Sequence, residues 1–268
     1  MDRKLTVSGV QLDIRWEDPD SNFRSAEAMI RQAVEGGARL VVLPEMFATG
    51  FSMASERVAG HADAIRDFVR EQAVQHGVWL IAGFAARTGG TAFNEASLVA
   101  PDGGERVKYR KIHPFTLAGE HDNYGAGEDV ATATVESVRV TPLICYDLRF
   151  TEIFRASATA TDLYVVIANW PDRRSHAWRI LLQARAIDCQ AWVLGVNRVG
   201  TDGNGVSHRG DTALVDPMGE AVAGLAWEEG VVTGEVDAGR VSEVRDRYPF
   251  LADRRPEIYR RLESKAEN

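Results

Sequence analysis

The stretch VRVTPLICYDLRF, residues 138–150, predicts a buried strand that ends at a cysteine. Its first half is apolar and β-prone; then Cys145 appears, and the chain becomes polar within two residues. A thiol at the end of a strand is a candidate nucleophile. A lone buried cysteine is more often a small core residue, so the rest of the chain has to decide between the two interpretations.

Strand and helix patterns alternate along the chain. Strands are predicted at 5–14, 39–44, 78–86, 138–145, 162–170, 191–199 and 231–237, with hairpins at 93–111 and 212–224. Helices are predicted at 22–35, 61–76, 151–158 and 175–190, the last with Ser175 as its N-cap. No linker, repeat or low-complexity segment is visible, which predicts a single domain over residues 1–268 with helices on the outer faces of the sheets.

Composition excludes several classes of protein. The 268 residues are 45% hydrophobic and 26% charged, an ordinary globular balance. The net charge of −8 argues against general nucleic-acid binding, which needs a basic face. No apolar run approaches the roughly 18 residues that span a bilayer, and the start shows no signal peptide. Only two cysteines are present, so a reducing cytoplasm is the expected location.

Two other predicted strands end in the same way as the first. The run LVVLP is followed by Glu45, and the hairpin strand that ends near Tyr109 is followed by Lys111. Functional groups in sheets with parallel strands gather just beyond the carboxyl ends of the strands. We therefore expect these two side chains to converge with Cys145.

A carboxylate, an ammonium and a thiol make a chemically sensible set. A neighbouring cation lowers the pKa of a thiol and can also stabilise an oxyanion. A carboxylate can take the thiol proton and later activate water. Each residue also has a structural explanation, because Glu45 could be a turn residue and Lys111 lies in the basic run KYRK. The joint arrangement is what favours a catalytic site.

Three segments resemble the signatures of the nitrilase, or carbon–nitrogen hydrolase, superfamily. They are PEMFATGFSM (44–53), YRKIHPF (109–115) and LICYDLRF (143–150). Further segments up to residue 220 are similar to the family in the same order, so the resemblance covers nearly the whole chain. It implies an α/β fold, the four-layer α-β-β-α sandwich of the nitrilase type, in which two sheets face each other between outer helices.

The resemblance also implies a mechanism. The family's Glu–Lys–Cys triad falls on Glu45, Lys111 and Cys145, and its second glutamate falls on Glu120, for which a solvated loop carboxylate is the alternative. Cys145 would attack an amide or nitrile carbon with Glu45 as base, and the backbone N–H of Tyr146 would help Lys111 to hold the oxyanion. A thioester would then be hydrolysed. No cofactor is expected.

Within the superfamily, the chain looks most like the omega-amidases, which hydrolyse the terminal amide of short dicarboxylic acid monoamides such as 2-oxoglutaramate and succinamate. The free carboxylate of such a substrate needs a cation, and Arg173 and Arg174 are the nearest candidates in sequence, unless both are solvated loop residues. The aromatic residues beside the motifs are candidates for pocket walls, although each could equally be core packing: Phe47, Phe115, Tyr124, Tyr146 and Trp170.

Alternatives remain at this stage. The chain could act on an N-carbamoyl amine, another amide or a nitrile, or it could be a binding protein that has lost catalysis. The six histidines show no paired-ligand spacing, so zinc is not expected. GTDGNG (200–205) is predicted to be a turn, and Cys189 an inert core residue. Residues 240–268 are predicted to form a C-terminal tail that contributes to a homodimer, as the resemblance implies.

Overall fold

The structure is a computed structural model that describes residues 3–266, an α/β fold built on two sheets. The strands are β1 (Lys4–Gln11), β2 (Leu40–Val42), β3 (Trp79–Thr88), β4 (Thr91–Val99), β5 (Glu105–Arg110), β6 (Ala133–Val135), β7 (Val138–Ile144), β8 (Leu163–Ala168), β9 (Trp192–Asn197), β10 (Val199–Thr201), β11 (Ser207–Val215), β12 (Ala221–Ala226) and β13 (Gly230–Asp237). The helices are α1 (Pro19–Glu35), α2 (Ser55–Ala59), α3 (Ala62–His76), α4 (Glu120–Asn123), α5 (Thr151–Ser157), α6 (Ser175–Cys189), α7 (Ala238–Arg247) and α8 (Pro256–Ala266). The predicted domain and tail also include residues 1–2 and 267–268, which lie outside the described residues.

Each sheet has a parallel centre with antiparallel strands at its edges. The first sheet has the order β13-β1-β2-β3-β4-β5, in which β1, β2 and β3 are parallel. The second has the order β10-β11-β9-β8-β7-β6, with β12 paired to β11, and its parallel strands are β7, β8 and β9. Strands β2, β5 and β7, which precede Glu45, Lys111 and Cys145, therefore belong to two different sheets.

Alternation of side chains along the strands explains why both faces of the first sheet are covered. In β2, Leu40 and Val42 join the core between the two sheets, while Val41 joins the core beneath α1 and α3. In β3, Ile81 faces the core between the sheets and Leu80 faces the helices. A strand such as β2, in which every residue is apolar, is therefore buried on both of its faces.

The second sheet is covered on its outer face by α5 and α6. Phe154 of α5, and Trp178 and Leu182 of α6, pack into the same core cluster as the strands of this sheet. The four layers predicted by the resemblance are thus confirmed, in the order α1 and α3, first sheet, second sheet, and α5 and α6. No helix among residues 3–266 has both the length and the apolar character needed to cross a bilayer.

The predicted elements are found within a few residues of their expected bounds, with one local correction. Ser175 is not an N-cap: the preceding turn Asp172–Arg174 already places it in helical geometry, so that Arg174 takes the cap position. The short strands β6 and β10 and the short helices α2 and α4 were not predicted, because segments of three to five residues carry too little periodicity. The longer helices α7 and α8 were not predicted either, since residues 240–268 were interpreted only as a tail.

Candidate active site

Glu45 reaches the space between the sheets because the chain crosses very close to β3. A Cβ atom on Gly83 would lie 2.8 Å from the Cα of Glu45 and 2.6 Å from Ile167 Cδ1. Only glycine leaves enough room for this crossing. The following residue, Met46, has a positive φ of 46°, and this sharp turn directs the buried Glu45 carboxylate towards the end of the second sheet.

Lys111 lies between two buried carboxylates. Its Nζ donates to Glu45 Oε1 at 3.0 Å and to Glu120 Oε2 at 2.8 Å, and all three side chains are buried. Burial disfavours the charged ammonium, but the attraction of Glu120 and Glu45 is larger in sum and raises the pKa of Lys111 above its usual value. Lys111 is therefore a fixed cation and not part of a solvated basic run.

Glu120 begins the short helix α4 and is fully buried, in contrast to the alternative of a solvated loop carboxylate. Its Oε2 also accepts the backbone N–H of Phe115 at 2.5 Å. The side chain of Asn94, in β4, donates to both carboxylates, to Glu45 Oε1 at 2.8 Å and to Glu120 Oε1 at 2.9 Å. Two donors, Lys111 and Asn94, thus hold the carboxylates together.

Cys145 stands on a tight turn immediately after β7. Its φ is +47°, an unfavourable value for a residue with a side chain, and it starts the turn Cys145–Arg149. The turn is fixed by the buried carboxylate of Asp147, which accepts the backbone N–H of Ile144 at 3.0 Å. Cys145 is partly exposed as a residue and lines a cavity.

Asp147 also ties this turn to the segment that carries Lys111. It accepts the hydroxyl of Tyr109 at 2.7 Å and the backbone N–H of His113 at 3.0 Å. Burial and the adjacent carboxylate raise the pKa of Tyr109, so the tyrosine remains a donor. A single carboxylate therefore fixes the relative positions of the chain segments bearing Cys145 and Lys111.

The thiol of Cys145 is neutral in this site. Burial and the charge of Glu45 raise its pKa well above the ordinary value, and Glu120 adds to the effect. Lys111 acts in the opposite direction, as the sequence predicted, but one cation does not outweigh burial and two carboxylates. Of the two carboxylates, Glu45 acts more strongly on this thiol, and it is the candidate base that removes its proton.

A cavity of about 120 Å³ opens beside Cys145. One wall is aromatic, and three of the predicted residues contribute to it: Phe115, Tyr146 and Trp170. The ring of Phe115 packs edge-on against Tyr146 at 4.9 Å between centroids. Trp170 forms two hydrogen bonds. Its backbone N–H donates to Asn197 Oδ1, and its indole N–H donates to the carbonyl of Arg174.

Three arginines, Arg149, Arg173 and Arg174, line the same cavity. Arg174 is half-buried over the ring of Phe115, with 5.0 Å from Cζ to the centroid, and Arg149 lies at 5.0 Å over Trp170. Within residues 3–266, none of the three forms an ion pair with a carboxylate. Burial and the neighbouring Arg173 lower the pKa of Arg174, as expected for cations that lack a counter-charge.

Two predicted wall residues do not reach this cavity. Phe47 is buried on the helix side of the first sheet, where its ring lies 6.1 Å from Phe23 and 5.9 Å from Phe68. Met46, with its positive φ, separates Phe47 from Glu45, and Phe47 joins the core on the helix side of the sheet. Tyr124 packs behind the carboxylates, and its hydroxyl donates to the carbonyl of Ser52 at 2.6 Å. Its pKa is raised by burial and by Glu120.

The structure adds residues that sequence reasoning missed. Phe51 lines the cavity and lies 5.1 Å from Lys111 Nζ, and Asn169 lies at the end of β8 against Glu45. Residues 202–208 close the far side, so the turn predicted at GTDGNG is also part of the cavity wall. The signal available for Phe51 was its place in the PEMFATGFSM segment; Asn169 follows an apolar strand, as Cys145 does.

Other features lie away from these groups. Within the described chain, no cluster of three or more His, Cys, Asp or Glu is arranged to hold a metal ion. A larger groove, of about 770 Å³, runs between α6 and the hairpin of β11 and β12. Cys189 is fully buried, and burial together with Asp188 raises the pKa of its thiol to about 11, consistent with the inert core residue that was predicted.

Comparisons with known proteins agree with the family resemblance found in the sequence. The profile of the carbon-nitrogen hydrolase family matches residues 6–246. The omega-amidase YafV of Escherichia coli K12 is 34% identical over 93% of this chain and 96% of its own length. The 2-oxoglutaramate amidase of Bacillus subtilis is 32% identical over 96% of this chain and 100% of its own. A solved CN-hydrolase superfamily protein of Xanthomonas campestris, with an arsenic adduct in its active site, has a TM-score of 0.89 at 34% identity, covering 94% of this chain and 97% of that one.

Proposed function

The chain belongs to the carbon–nitrogen hydrolase family, and on that premise we propose that it hydrolyses the terminal amide of short dicarboxylic acid monoamides through a thioester on Cys145. The match to the family model confirms the membership that the three signature segments predicted. It also confirms that the protein is a hydrolase that acts on carbon–nitrogen bonds. Relatives named omega-amidase and 2-oxoglutaramate amidase support the amidase branch. The intact set of Glu45, Lys111 and Cys145 argues against a protein that has lost catalysis.

Acylation begins from a neutral thiol. As the sulfur of Cys145 approaches the amide carbon, Glu45 removes its proton, so that no free thiolate accumulates beside two carboxylates. The negative charge then moves to the carbonyl oxygen, where Lys111 and the backbone N–H of Tyr146 stabilise it. Glu45 passes the proton to the nitrogen, ammonia leaves, and the acyl group stays on the sulfur.

Deacylation uses the same base again. Glu45 takes a proton from water, the hydroxide attacks the thioester, and the carboxylic acid leaves as Cys145 regains its proton. Glu120 bonds to Lys111 and to the backbone at Phe115, which holds the ammonium in place through both half-reactions. We assign it electrostatic support and not proton transfer, because Glu45 is the carboxylate that acts more strongly on the Cys145 thiol.

The observation that supports this class of substrate is a set of arginines in the cavity of Cys145 that have no counter-charge. Arg149, Arg173 and Arg174 face the same small space as the thiol, and a substrate carboxylate would supply the missing negative charge. An N-carbamoyl amine or a nitrile without an acidic tail would leave these cations unpaired. The geometry therefore favours a monoamide of a dicarboxylic acid.

Ammonia release from three substrates tests this proposal. Succinamate, a neutral carbamoyl amine and a neutral aliphatic nitrile should be compared at equal concentration with the unmodified enzyme. The proposal predicts rapid hydrolysis of succinamate and slow hydrolysis of the other two. Faster hydrolysis of the carbamoyl amine or the nitrile would move the protein to another branch of the family.

We also propose that two copies pair through the outer face of α6. Ile180 and Ile187 on this helix are half exposed, as is Val222 across the large groove. The start of the predicted tail lies against the same helix, where Gln190 Nε2 donates to the carbonyl of Tyr248 at 2.7 Å. Sedimentation should give a dimer for the unmodified chain and a monomer for Ile180→Lys; a monomeric unmodified chain would contradict the pairing.

Both thiols are free, which fits a cytoplasmic location.

A further inference from the structure

Asn169 holds Glu45 by two hydrogen bonds at the end of β8. Its backbone N–H donates to Glu45 Oε2 at 2.7 Å, and its Nδ2 donates to the backbone carbonyl of Glu45 at 2.6 Å. A carbonyl oxygen only accepts, so the donor to it must be the amide nitrogen. The orientation of the Asn169 side chain is therefore fixed, and its Oδ1 points away from the Glu45 backbone.

Oδ1 of Asn169 is a buried acceptor without a protein donor. Among the described residues, no donor lies within hydrogen-bond distance of this atom. An unpartnered buried carbonyl is costly, and such groups in folded proteins usually have a partner. The thiol of Cys145 is not that partner either, because it forms no hydrogen bond with this oxygen in the described part of the chain. Asn169 lines the cavity of Cys145, so a substrate can supply the donor.

The chemistry of the substrate determines which group fits. A primary carboxamide carries two N–H donors, whereas an ester or a nitrile carries none at the reacting carbon, and the carboxylate product carries only acceptors. An acceptor next to the base is therefore complementary to the NH₂ of an amide. It would also turn the nitrogen towards Glu45, which must deliver a proton to it.

We propose that Asn169 selects a primary carboxamide by accepting a hydrogen bond from the substrate NH₂ at Oδ1. This role rests on the amidase function proposed above. It adds a specificity-determining contact to the reaction, because the acceptor favours the amide substrate over an ester and repels the carboxylate product.

Two substrates that give the same intermediate isolate this contact. Succinamate and monomethyl succinate both acylate Cys145 with a succinyl group, so their deacylation is identical and only the leaving group differs. The ratio of kcat/KM for the amide to kcat/KM for the ester then reports on recognition of the leaving group. A general loss of structure would lower both values and leave the ratio unchanged.

Asn169→Ala removes Oδ1 and should lower the amide-to-ester ratio about tenfold, the effect of losing one hydrogen bond of roughly 1.4 kcal/mol. Asn169→Leu nearly preserves the volume and gives the same prediction if the alanine variant does not fold. Asn169→Asp keeps an acceptor oxygen but loses the donor to Glu45, so both rates should fall while the ratio is retained.

Asn94→Ala is the matched control. Asn94 bonds to Glu45 as Asn169 does, but it does not line the cavity, so its loss should lower both rates and leave the ratio unchanged. An unchanged ratio in Asn169→Ala and Asn169→Leu, or an equal shift in Asn94→Ala, would overturn the inference. Absence of Cys145-dependent amide hydrolysis in the unmodified enzyme would instead overturn the proposed function.

Discussion

The ammonium of Lys111 lies 3.0 Å from the carboxylate of Glu45, although the two residues are 66 positions apart in sequence and follow non-adjacent strands of the first sheet. Both side chains are buried at the end of the sheet where Cys145 approaches from the second sheet. A buried lysine is held charged here because Glu120 and Glu45 attract it more strongly than burial penalises it.

Lys111→Met should give a folded protein with almost no amidase activity. The change keeps the length of the side chain but removes an oxyanion donor, which costs on the order of 3–4 kcal/mol in the transition state. It also leaves Glu45 and Glu120 facing each other without the cation. Steady-state rates and a thermal melt of the variant would check this.

Lys108→Met is the matched control, because Lys108 lies on β5, three residues before Lys111, but is exposed and forms a 3.6 Å ion pair with Glu105. Its activity should stay close to that of the unmodified enzyme. Near-normal turnover of Lys111→Met would show that Lys111 is structural and not part of the reaction.

Cys145→Ser should fold normally and lose activity by several orders of magnitude. Serine is similar in size, but its hydroxyl is a much weaker nucleophile than a thiol and forms no thioester. Cys189→Ala should remain active, because Cys189 lies in the core away from the cavity. If Cys145→Ser retained a tenth of the activity, measured as ammonia release, the thioester mechanism would be wrong.

Thiol alkylation should distinguish the two cysteines and show a specific pH dependence. Iodoacetamide reacts with the thiolate, and the pKa of Cys145 is raised, so its labelling rate should keep rising from about pH 6 to pH 9. Cys189 should be labelled more slowly, because it is fully buried and its pKa is about 11. Peptide mass spectrometry of timed samples gives both rates. A plateau for Cys145 near neutral pH would indicate a thiolate that already exists in the free enzyme.

Arg174→Met should reduce the preference for a substrate with a carboxylate tail more than Arg173→Met does. Arg174 is half-buried against Phe115, whereas Arg173 is exposed, and a desolvated charge pair contributes roughly 2–5 kcal/mol when one partner is removed. The measured quantity in each variant is the ratio of kcat/KM for succinamate to kcat/KM for butyramide, which lacks the carboxylate. Equal losses would show that the two arginines share the carboxylate, and no loss in either would leave Arg149 as the binding residue.

Sequence reasoning was most successful where a strand ends. Glu45, Lys111 and Cys145 each lie just after a strand, and the structure places all three together. Their position between two facing sheets was available only through the family resemblance, because the pattern of one strand does not reveal which sheet it joins. The net direction of the Cys145 pKa could not be predicted either, since it depends on burial and on the sum of three charges.

Aromatic residues near a motif were harder to place. Phe47 and Phe51 both follow Glu45 within a few residues, yet Phe47 enters the core and Phe51 lines the cavity. The chain turns between Glu45 and Phe47, where Met46 has a positive φ, and no sequence pattern indicates that turn. The two asparagines that hold Glu45 were missed because a single Asn does not indicate a function by itself, even where it follows an apolar strand as Asn169 does.

The direct test of the account is the ratio of kcat/KM for succinamate to that for butyramide, which has a methyl group in place of the carboxylate. The arginines in the cavity of Cys145 predict that succinamate is hydrolysed at least about thirtyfold more efficiently. Equal values for the two substrates would contradict the assignment to dicarboxylic acid monoamides and would leave only the chemistry of Glu45, Lys111 and Cys145.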